Sequence, residues 1–161
     1  MSSDNTQTKV KVGDKAPLFS LRKESGEEVK LVDFIGKKNI VLYFYPKDYT
    51  AGCTAEACSF RDRYELFVKA GAEVIGISGD SIESHSEFST TYNLQFILLS
   101  DEDNKVRKLF GVGSTLGIIP GRVTYIIDKN GIVRHIFSSQ FNPKKHVDES
   151  LKILDKLNSE K

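Results

Sequence analysis

Apolar residues in the first half of the chain form a run, then a stripe, then a second run, and this pattern predicts a β-α-β unit. Residues 40–45 (Ile-Val-Leu-Tyr-Phe-Tyr) carry no charge, which is typical of a strand buried on both faces. Apolar side chains then recur at intervals of three and four, the stripe of a helix that packs on a core: Ala57, Phe60, Tyr64 and Phe67. Gly71 would end this helix, and residues 72–78 supply the next buried strand. We expect the two strands to be parallel, with a right-handed crossover.

The remaining pattern predicts a β-hairpin before this unit and alternating helices and strands after it. Residues 18–21 and 29–31 should pair around a turn at residues 25–28. The later elements follow in order: a helix capped by Ser81 that runs to about Tyr92, a strand at 95–99, a helix at 105–110, a loop at 111–121, paired strands at 123–127 and 132–137, and a terminal helix with Val147, Leu151, Leu154 and Leu157 on its core face. Asp80 and Asp101 follow predicted strands and should cap helices. This order predicts an α/β protein with a thioredoxin-like fold, in which helices flank a central mixed sheet and a β-hairpin precedes it.

The composition is that of an ordinary globular protein, and it excludes some classes of partner. The 23 Lys and Arg against 22 Asp and Glu leave a net charge of +1, so no overall field attracts nucleic acid or an anionic membrane. No apolar run approaches the roughly 20 residues that span a bilayer. The 161 residues suit one domain, which we place at residues 12–161 behind a flexible polar tail at residues 1–11.

The cysteine count and the N-terminus indicate a compartment. Two cysteines are too few for a secreted scaffold held by disulfides, and they fit a reducing compartment better. Residues 1–11 lack both the apolar centre of a signal peptide and the arginines of an organelle presequence. We therefore expect a cytoplasmic protein, although a processed organellar form would show the same features.

Cys53 occupies a position that can activate a thiol. The helical stripe extends back to it, so it should lie in the first helical turn, just beyond the end of a central strand. Unpaired N–H groups and the partial positive charge of a helix N-terminus favour the thiolate, which is the nucleophile. Thr50 could bring a hydroxyl beside the sulfur, and Gly52 allows a close approach of other groups. A buried structural cysteine would fit the same placement, and both interpretations remain open here.

Cys58 raises the question of a disulfide. On a continuous helix, residues five apart have Cα atoms roughly 8.5–9 Å from each other, whereas a disulfide needs about 4.4–6.8 Å. If Cys53 and Cys58 pair, the helix must therefore unwind locally. Cys58 could equally be an unrelated thiol on the other side of the helix, and the spacing alone does not decide between these two interpretations.

These residues resemble the signature of a known family. Pro46-x-x-x-Thr50-x-x-Cys53, followed by Glu56 and then Cys58, resembles the peroxiredoxins, specifically the bacterioferritin-comigratory or peroxiredoxin Q subgroup. Further segments resemble this subgroup in the same order: Gly-Ile-Ser-Gly-Asp-Ser at 76–81, Leu-Leu-Ser-Asp at 98–101, Pro-Gly-Arg at 120–122 and Tyr-Ile-Ile-Asp-Lys-Asn-Gly at 125–131. The resemblance covers residues 12–157.

The resemblance implies a thiol-dependent peroxidase that reduces hydrogen peroxide and organic hydroperoxides. It assigns roles to six residues, namely the peroxidatic Cys53, the resolving Cys58, the hydroxyl donor Thr50, the shielding Pro46, the cation Arg122 and the carboxylate Glu56 that orients it. The two cysteines would form an intramolecular disulfide, which thioredoxin or a similar dithiol would reduce. The resemblance further implies a monomer, because the subgroup is often monomeric and no extended tail follows the terminal helix.

Several of these residues have plainer interpretations. Without the resemblance, Arg122 would be taken as a solvated loop charge, since most arginines are exposed, and Glu56 as a complement to the helix dipole. His85, His135 and His146 lie far apart in sequence and show no metal-ligand spacing. We therefore expect neither a metal nor any other cofactor.

Two other functions compete with the peroxidase. One is a protein disulfide exchanger of the thioredoxin type, which the missing Cys-x-x-Cys spacing disfavours. The other is a redox-sensing or chaperone-like binding module whose disulfide switches a surface. Insulin reduction with little peroxide consumption would mark the exchanger, and stoichiometric oxidation without turnover would mark the module.

Overall fold

The protein is built on a mixed sheet with helices packed on its faces. A computed structural model describes residues 9–115 and 119–160. Its strands are β1 (Ser20–Lys23), β2 (Glu28–Lys30), β3 (Asn39–Phe44), β4 (Ala72–Ser78), β5 (Ile97–Ser100), β6 (Ser114–Thr115), β7 (Ile119–Pro120), β8 (Val123–Ile127) and β9 (Val133–Ser138). Its helices are α1 (Ala51–Asp62), α2 (Tyr64–Lys69), α3 (Ile82–Tyr92), α4 (Lys105–Phe110) and α5 (Pro143–Ser159), with a 3₁₀ turn at Leu31–Phe34.

The seven strands of the main sheet follow the order β2-β1-β5-β4-β3-β8-β9, and β6 and β7 form a separate ribbon. β3, β4 and β5 are parallel neighbours, whereas β8 and β9 continue the sheet in antiparallel fashion and the β1–β2 hairpin closes the other edge. The prediction of a mixed sheet flanked by helices, with an N-terminal hairpin, is confirmed. The hairpin strands lie one or two residues from their predicted positions.

β3 lies at the centre of two hydrophobic cores, one on each face of the sheet. Ile40, Leu42 and Phe44 contribute to the core that includes residues of α4, and Val41 and Tyr43 contribute to the core beneath the other helices. All five of these side chains are at most 1% exposed. Because alternate side chains of a strand point to opposite faces, burial on both faces explains the uncharged run.

The helix after β3 differs from its prediction. We expected one helix from the Cys53 turn to Gly71, but α1 ends at Asp62 and α2 begins at Tyr64. Arg63, between them, has φ −112° and ψ 11°, which is outside the helical region. The break allows Tyr64 to donate a hydrogen bond of 2.9 Å to Glu73 on β4 while Phe67 remains fully buried. The apolar stripe of the sequence is therefore divided between two helices, and the second of these contacts the neighbouring strand.

Two predicted caps are present and one is not. Ser81 accepts a hydrogen bond of 3.1 Å from the backbone N–H of Ser84 at the start of α3. The Asp101 carboxylate accepts bonds from the backbone N–H groups of Val106 and Arg107 in α4. The prediction for Asp80 is wrong, because its carboxylate accepts instead from the Asp48 backbone N–H and the Ser78 hydroxyl.

The packed chain begins earlier than the predicted domain boundary at residue 12. Lys9 donates its backbone N–H to the carbonyl of Phe110 over 3.0 Å, and Val10 is only 6% exposed within the core. Residues 9–11 are therefore held by the fold rather than belonging to a flexible tail. The rest of that predicted tail, residues 1–8, lies outside the described residues, as do residues 116–118 of the predicted loop at 111–121.

The register of β3 and β8 brings two distant segments to one edge of the sheet. Phe44, at the end of β3, pairs with Val123, at the start of β8. The segment that follows β3 therefore lies beside the segment that precedes β8.

Among the described helices, none has both the length and the apolar character to cross a membrane.

Candidate active site

Cys53 lies in the first turn of α1, as its place in the sequence predicted. Thr50 is the N-cap residue, with extended backbone, and the first helical bond runs from the Thr54 N–H to its carbonyl. The Cys53 side chain is 1% exposed and packs in the core beneath α1. Since the amides of the first turn have no partner within the helix, their partial positive charge lies next to the sulfur.

Arg122 is buried beside this thiol. Its side chain is 6% exposed, and its Nη1 donates a 2.6 Å hydrogen bond to Oε1 of Glu56. Its Nε donates to the carbonyl of Gln140 over 3.1 Å. Burial lowers the pKa of Arg122, but charge interactions and hydrogen bonds with Glu56 and Cys53 outweigh this effect and raise it. Arg122 is thus a buried cation that packs against the helix turn bearing Cys53, rather than a solvated loop charge.

Glu56 is fully buried one helical turn after Cys53. Burial raises its pKa to about 8, although the charge and the hydrogen bond of Arg122 act in the opposite direction. Its second oxygen, Oε2, has no hydrogen-bond partner among the described residues. The carboxyl therefore binds Arg122 through one oxygen only. With a pKa of about 8, Glu56 ionises in the neutral to mildly alkaline range.

Gly52 lets the guanidinium lie against the helix. A Cβ atom at this position would be 3.0 Å from Nη2 of Arg122 and 3.9 Å from Pro143. Any larger residue would therefore displace the guanidinium or be displaced by it. This contact gives a physical reason for glycine immediately before Cys53.

Thr50 and Pro46 lie at the mouth of the site. They line a cleft of about 290 Å³ together with Gly52, Arg122, Gln140, Phe141 and Pro143. The Thr50 hydroxyl donates to the carbonyl of Lys47 over 2.9 Å, so its proton points away from the cleft and its lone pairs are free to accept. In this position Thr50 can accept a hydrogen bond from a peroxide O–H. The prediction that it donates a hydrogen bond is not tested by this arrangement.

Cys58 lies on the other side of α1 and is half-buried, and neither cysteine is in a disulfide. A second cleft of about 380 Å³ beside it is lined by Ala55, Ser59, Asp62, Arg63 and Lys144. The five-residue separation within one helix means that the two thiols cannot bond while α1 is intact. The structure therefore shows the separated, reduced arrangement.

Known proteins share both the sequence and the fold. The family model described as the AhpC/TSA family matches residues 12–136. The chain belongs to this family. A curated relative from Sedum lineare, peroxiredoxin Q, chloroplastic, is 57% identical over 150 residues, which are 92% of this chain and 80% of that protein. Peroxiredoxin Q, chloroplastic, from Arabidopsis thaliana is 56% identical over 147 residues, or 91% of this chain and 68% of that protein.

Solved structures place the chain in the same group. Peroxidoxin BcpB from Mycobacterium tuberculosis superposes with a TM-score of 0.85 at 34% identity, covering 91% of this chain and 97% of that one. Peroxiredoxin Q from Xanthomonas campestris superposes with a TM-score of 0.79 at 28% identity, covering 92% of this chain and 97% of that one. The resemblance seen in the sequence is confirmed: the chain is a peroxiredoxin of the Q type, and hence a thiol-dependent peroxidase with a thioredoxin-like fold.

The peroxiredoxin site has a buried support that the sequence did not reveal. Asp48, in the loop before Cys53, is 3% exposed, and its carboxylate accepts from Tyr45 Oη at 2.6 Å and Ser84 Oγ at 2.9 Å. It also faces Nδ1 of His85 at 2.8 Å, while Nε2 of His85 faces the carbonyl of Leu99 at 2.9 Å. Both ring nitrogens face oxygen atoms, so the ring is held at both ends between the Asp48 loop and β5. This pair fastens the loop to α3 and β5.

Asp48, Asp80 and His85 also form a cluster with metal-ligand chemistry, which the sequence spacing of the histidines did not indicate. One donor atom from each residue lies within 4.8 Å of the others. However, these atoms already have hydrogen-bond partners. The Asp48 carboxylate binds Tyr45 and His85, and the Asp80 carboxylate binds the Asp48 backbone N–H and Ser78. The cluster is accounted for by its own hydrogen bonds.

His146 lies beneath the Glu56–Arg122 pair. Its Nε2 faces the carbonyl of Ser139 at 2.8 Å and therefore carries the proton, and its Nδ1 accepts from the Thr124 hydroxyl at 2.7 Å. Burial lowers the pKa of His146 to about 4, and the Ser139 hydrogen bond offsets this effect only in part. Nδ1 lies 3.8 Å from Oε2 of Glu56. The site therefore rests on a neutral imidazole. A buried contact of this kind leaves no local signal in the sequence.

Proposed function

We propose that Cys53 is the peroxidatic cysteine and that it attacks the terminal oxygen of hydrogen peroxide or an organic hydroperoxide. An S–O bond forms as the O–O bond breaks, the sulfur is oxidised to a sulfenic acid, and the leaving oxygen takes a proton to become water or an alcohol. Negative charge spreads over the sulfur and both oxygens in this step, so fixed donors should stabilise the transition state.

The observation that carries this proposal is the buried guanidinium of Arg122, which Glu56 holds at 2.6 Å against the helix turn that bears Cys53. A cation in this position favours the thiolate and can receive the developing charge on oxygen. The cleft lined by Pro46 and Thr50 would supply the approach for the peroxide, and the burial of Cys53, which is 1% exposed, keeps its sulfur from bulk water. The proposed roles of these side chains follow from this placement.

We further propose that Cys58 resolves the sulfenic acid. Its thiolate attacks the Cys53 sulfur, an S–S bond forms, and the hydroxyl leaves as water after taking a proton. Helix geometry separates the two Cα atoms by roughly 8.5–9 Å, beyond the reach of a disulfide, so the first turns of α1 must open in this step. The disulfide is then reduced by thioredoxin or a similar dithiol, which is itself oxidised.

Turnover with thioredoxin and its reductase tests these roles. The parent protein should consume peroxide continuously, Cys53→Ser should be inactive, and only the parent should form an internal disulfide after one equivalent of peroxide, as seen by mass analysis without reductant. If Cys58→Ser turns over as fast as the parent, Cys58 is not the resolving residue. If the parent fails to turn over with every dithiol tested, the binding module with a redox switch becomes the better account.

We propose that residues 9–160 act as one domain and that the protein works as a monomer in a reducing compartment. The continuous main sheet supports the first part, because strands from both halves of the chain pair within it. The relatives named above carry the word chloroplastic in their names, whereas a cytoplasmic location stays a prediction from the sequence. Light scattering of the reduced protein tests the monomer, and cell fractionation tests the compartment.

A further inference from the structure

Arg107 is a buried cation that the proposed catalytic cycle does not use. It lies in α4, is 7% exposed, and its guanidinium donates two hydrogen bonds to backbone carbonyls. Nη2 donates to Tyr45 over 2.9 Å, and Nη1 donates to Gly121 over 3.0 Å. Burying a guanidinium is unfavourable unless its donors are satisfied, so these two contacts fix where the side chain lies.

The two carbonyls belong to the residues that immediately precede Pro46 and Arg122. One planar group therefore ties together the loop that leaves β3 and the loop that enters β8, which are 76 positions apart at Tyr45 and Gly121. Gly121 is held on its other side as well, because its N–H donates to the carbonyl of Gly113 over 2.8 Å. A Cβ atom at Gly121 would lie 2.8 Å from that same oxygen, so only glycine fits there.

The Arg107 guanidinium also packs against the aromatic core. Its central carbon lies 5.7 Å from the ring centre of Phe44, the last residue of β3. Burial lowers the pKa of Arg107 to about 10, against the raising effects of Asp101, Tyr125 and Cys53.

We propose that Arg107 is a positioning residue of the peroxidatic site, which fixes the Tyr45 and Gly121 carbonyls so that Pro46 and Arg122 converge on Cys53. This inference rests on the proposed role of Cys53. Two features of the side chain can be tested separately, namely the geometry of its fork of donors and its charge.

Two substitutions in a Cys58→Ser background separate these contributions. Arg107→Lys keeps the charge but cannot span both carbonyls, and Arg107→Met removes both the charge and the donors. Arg134→Met is the matched control, because it removes the same charge from the partly exposed β9 side chain that pairs with Asp128 and Glu160. For each protein we would measure the rate of Cys53 oxidation by one equivalent of hydrogen peroxide and the pH midpoint of Cys53 alkylation by iodoacetamide.

Arg107→Met should slow peroxide oxidation by about 10- to 100-fold, as expected for a misplaced catalytic group. Arg107→Lys should slow oxidation while the midpoint stays near that of the parent, and Arg134→Met should match the parent in both measurements. Parent-like values in both Arg107 variants would overturn the proposal.

A structural role alone predicts a different result. Equal losses of alkylation and peroxide rates in Arg107→Lys at a pH well above the midpoint would mean general disorder of the site, and would also overturn the proposal. If Arg107→Met does not fold, the ratio of these two rates in Arg107→Lys decides the outcome. A failure of the proposed function would look unlike either result, because peroxide would then fail to oxidise Cys53 in the parent itself.

Discussion

Oε1 of Glu56 lies 2.6 Å from Nη1 of Arg122, although 66 positions separate the two residues in the chain. One belongs to α1 and the other to the loop before β8, so the contact exists only when the sheet has brought these segments together. Both side chains are almost completely buried. Removing one partner of such a pair leaves the other buried and uncompensated, which makes the pair a strong constraint on the geometry around Cys53.

Glu56→Gln should change how stability depends on pH. The folded pKa of Glu56, about 8, lies above its ordinary value of 4.5, so the native state keeps a proton that the unfolded state has released between these two values. The free energy of unfolding of the parent therefore falls as the pH rises through this window. Glutamine cannot ionise and removes this slope. Urea unfolding at several pH values should show Glu56→Gln gaining stability relative to the parent as the pH rises, and a constant difference would contradict the shifted carboxyl.

Gly52→Ala should impair chemistry without impairing folding. Alanine favours a helix over glycine by about 1 kcal/mol, but its Cβ would press on Nη2 of Arg122. We expect peroxide oxidation of Cys53 to slow by about tenfold or more while the melting temperature is unchanged or higher. Single-turnover rates in a Cys58→Ser background exclude any effect on helix unwinding. Ala51→Ser, on the exposed neighbour, is the control, and an unimpaired Gly52→Ala would show that the guanidinium can move without cost.

His146→Gln should reduce the acid sensitivity of the fold. The pKa of His146 is lowered from 6.5 to about 4, so the unfolded state binds a proton in this window that the native state does not bind. Stability contributed by the neutral ring is therefore lost as the pH falls from 6.5 towards 4. Thermal unfolding at about pH 5 and about pH 7 should show a smaller difference for His146→Gln than for the parent. His135→Gln, which changes a partly exposed histidine on β9, should retain the slope of the parent.

Much of the fold could be predicted from local signals. The strands at 40–45 and 72–78 could be predicted from the length and apolar character of their runs. The Ser81 cap could be predicted because a single serine side chain reaches the first turn of the helix. All of these features can be seen in the sequence. The break at Arg63 could not be predicted, because the stripe of apolar residues continues through it. After the break, Tyr64 donates to Glu73 on a neighbouring strand, and such a contact between distant segments leaves no pattern within the helix.

The candidate site divides in a similar way. Cys53 could be placed from the helical stripe and the end of a strand, whereas Arg122 would have been taken for a surface charge without the family resemblance. Arg107, His85 and His146 were missed because their roles depend on carbonyls and carboxylates from other elements. A buried polar residue looks like a surface residue in a sequence, and only the fold shows which atoms satisfy it.

Asp48→Asn should loosen the loop that carries Pro46 and Thr50. The substitution removes the carboxylate that His85 faces at 2.8 Å, and leaving a buried hydrogen-bonding group without its partner costs about 1–3 kcal/mol. The control is Asp62→Asn, whose exposed pair with Arg61 should contribute within about 0.5 kcal/mol. Urea unfolding measures both variants. A loss for Asp48→Asn as small as that for Asp62→Asn would show that the His85 pair does not hold the loop.

Oxidation should open α1 over a limited length. On one side, Asp48 fastens the preceding loop, and on the other, Phe60 is fully buried and Arg61 donates to the carbonyl of Tyr92 over 2.9 Å. We therefore expect faster amide hydrogen exchange after one equivalent of peroxide in residues 51–59, with little change in α3. Cys58→Ser should show no such increase. Faster exchange throughout the sheet would mean that disulfide formation requires a wider unfolding than the helix turn.

The pairing of β3 with β8 has a consequence for the return half of the cycle. Arg122 is attached to β8 and to the Gln140 carbonyl, neither of which belongs to α1. If α1 opens as proposed, the cysteine would move away from a cation that keeps its attachments to β8 and to the Gln140 carbonyl even when Glu56 leaves it. In the proposed cycle, reduction would then have to refold only one short helix against a sheet that holds Arg122 in place. The sheet, rather than the helix, would carry the geometry of the reduced site from one turnover to the next.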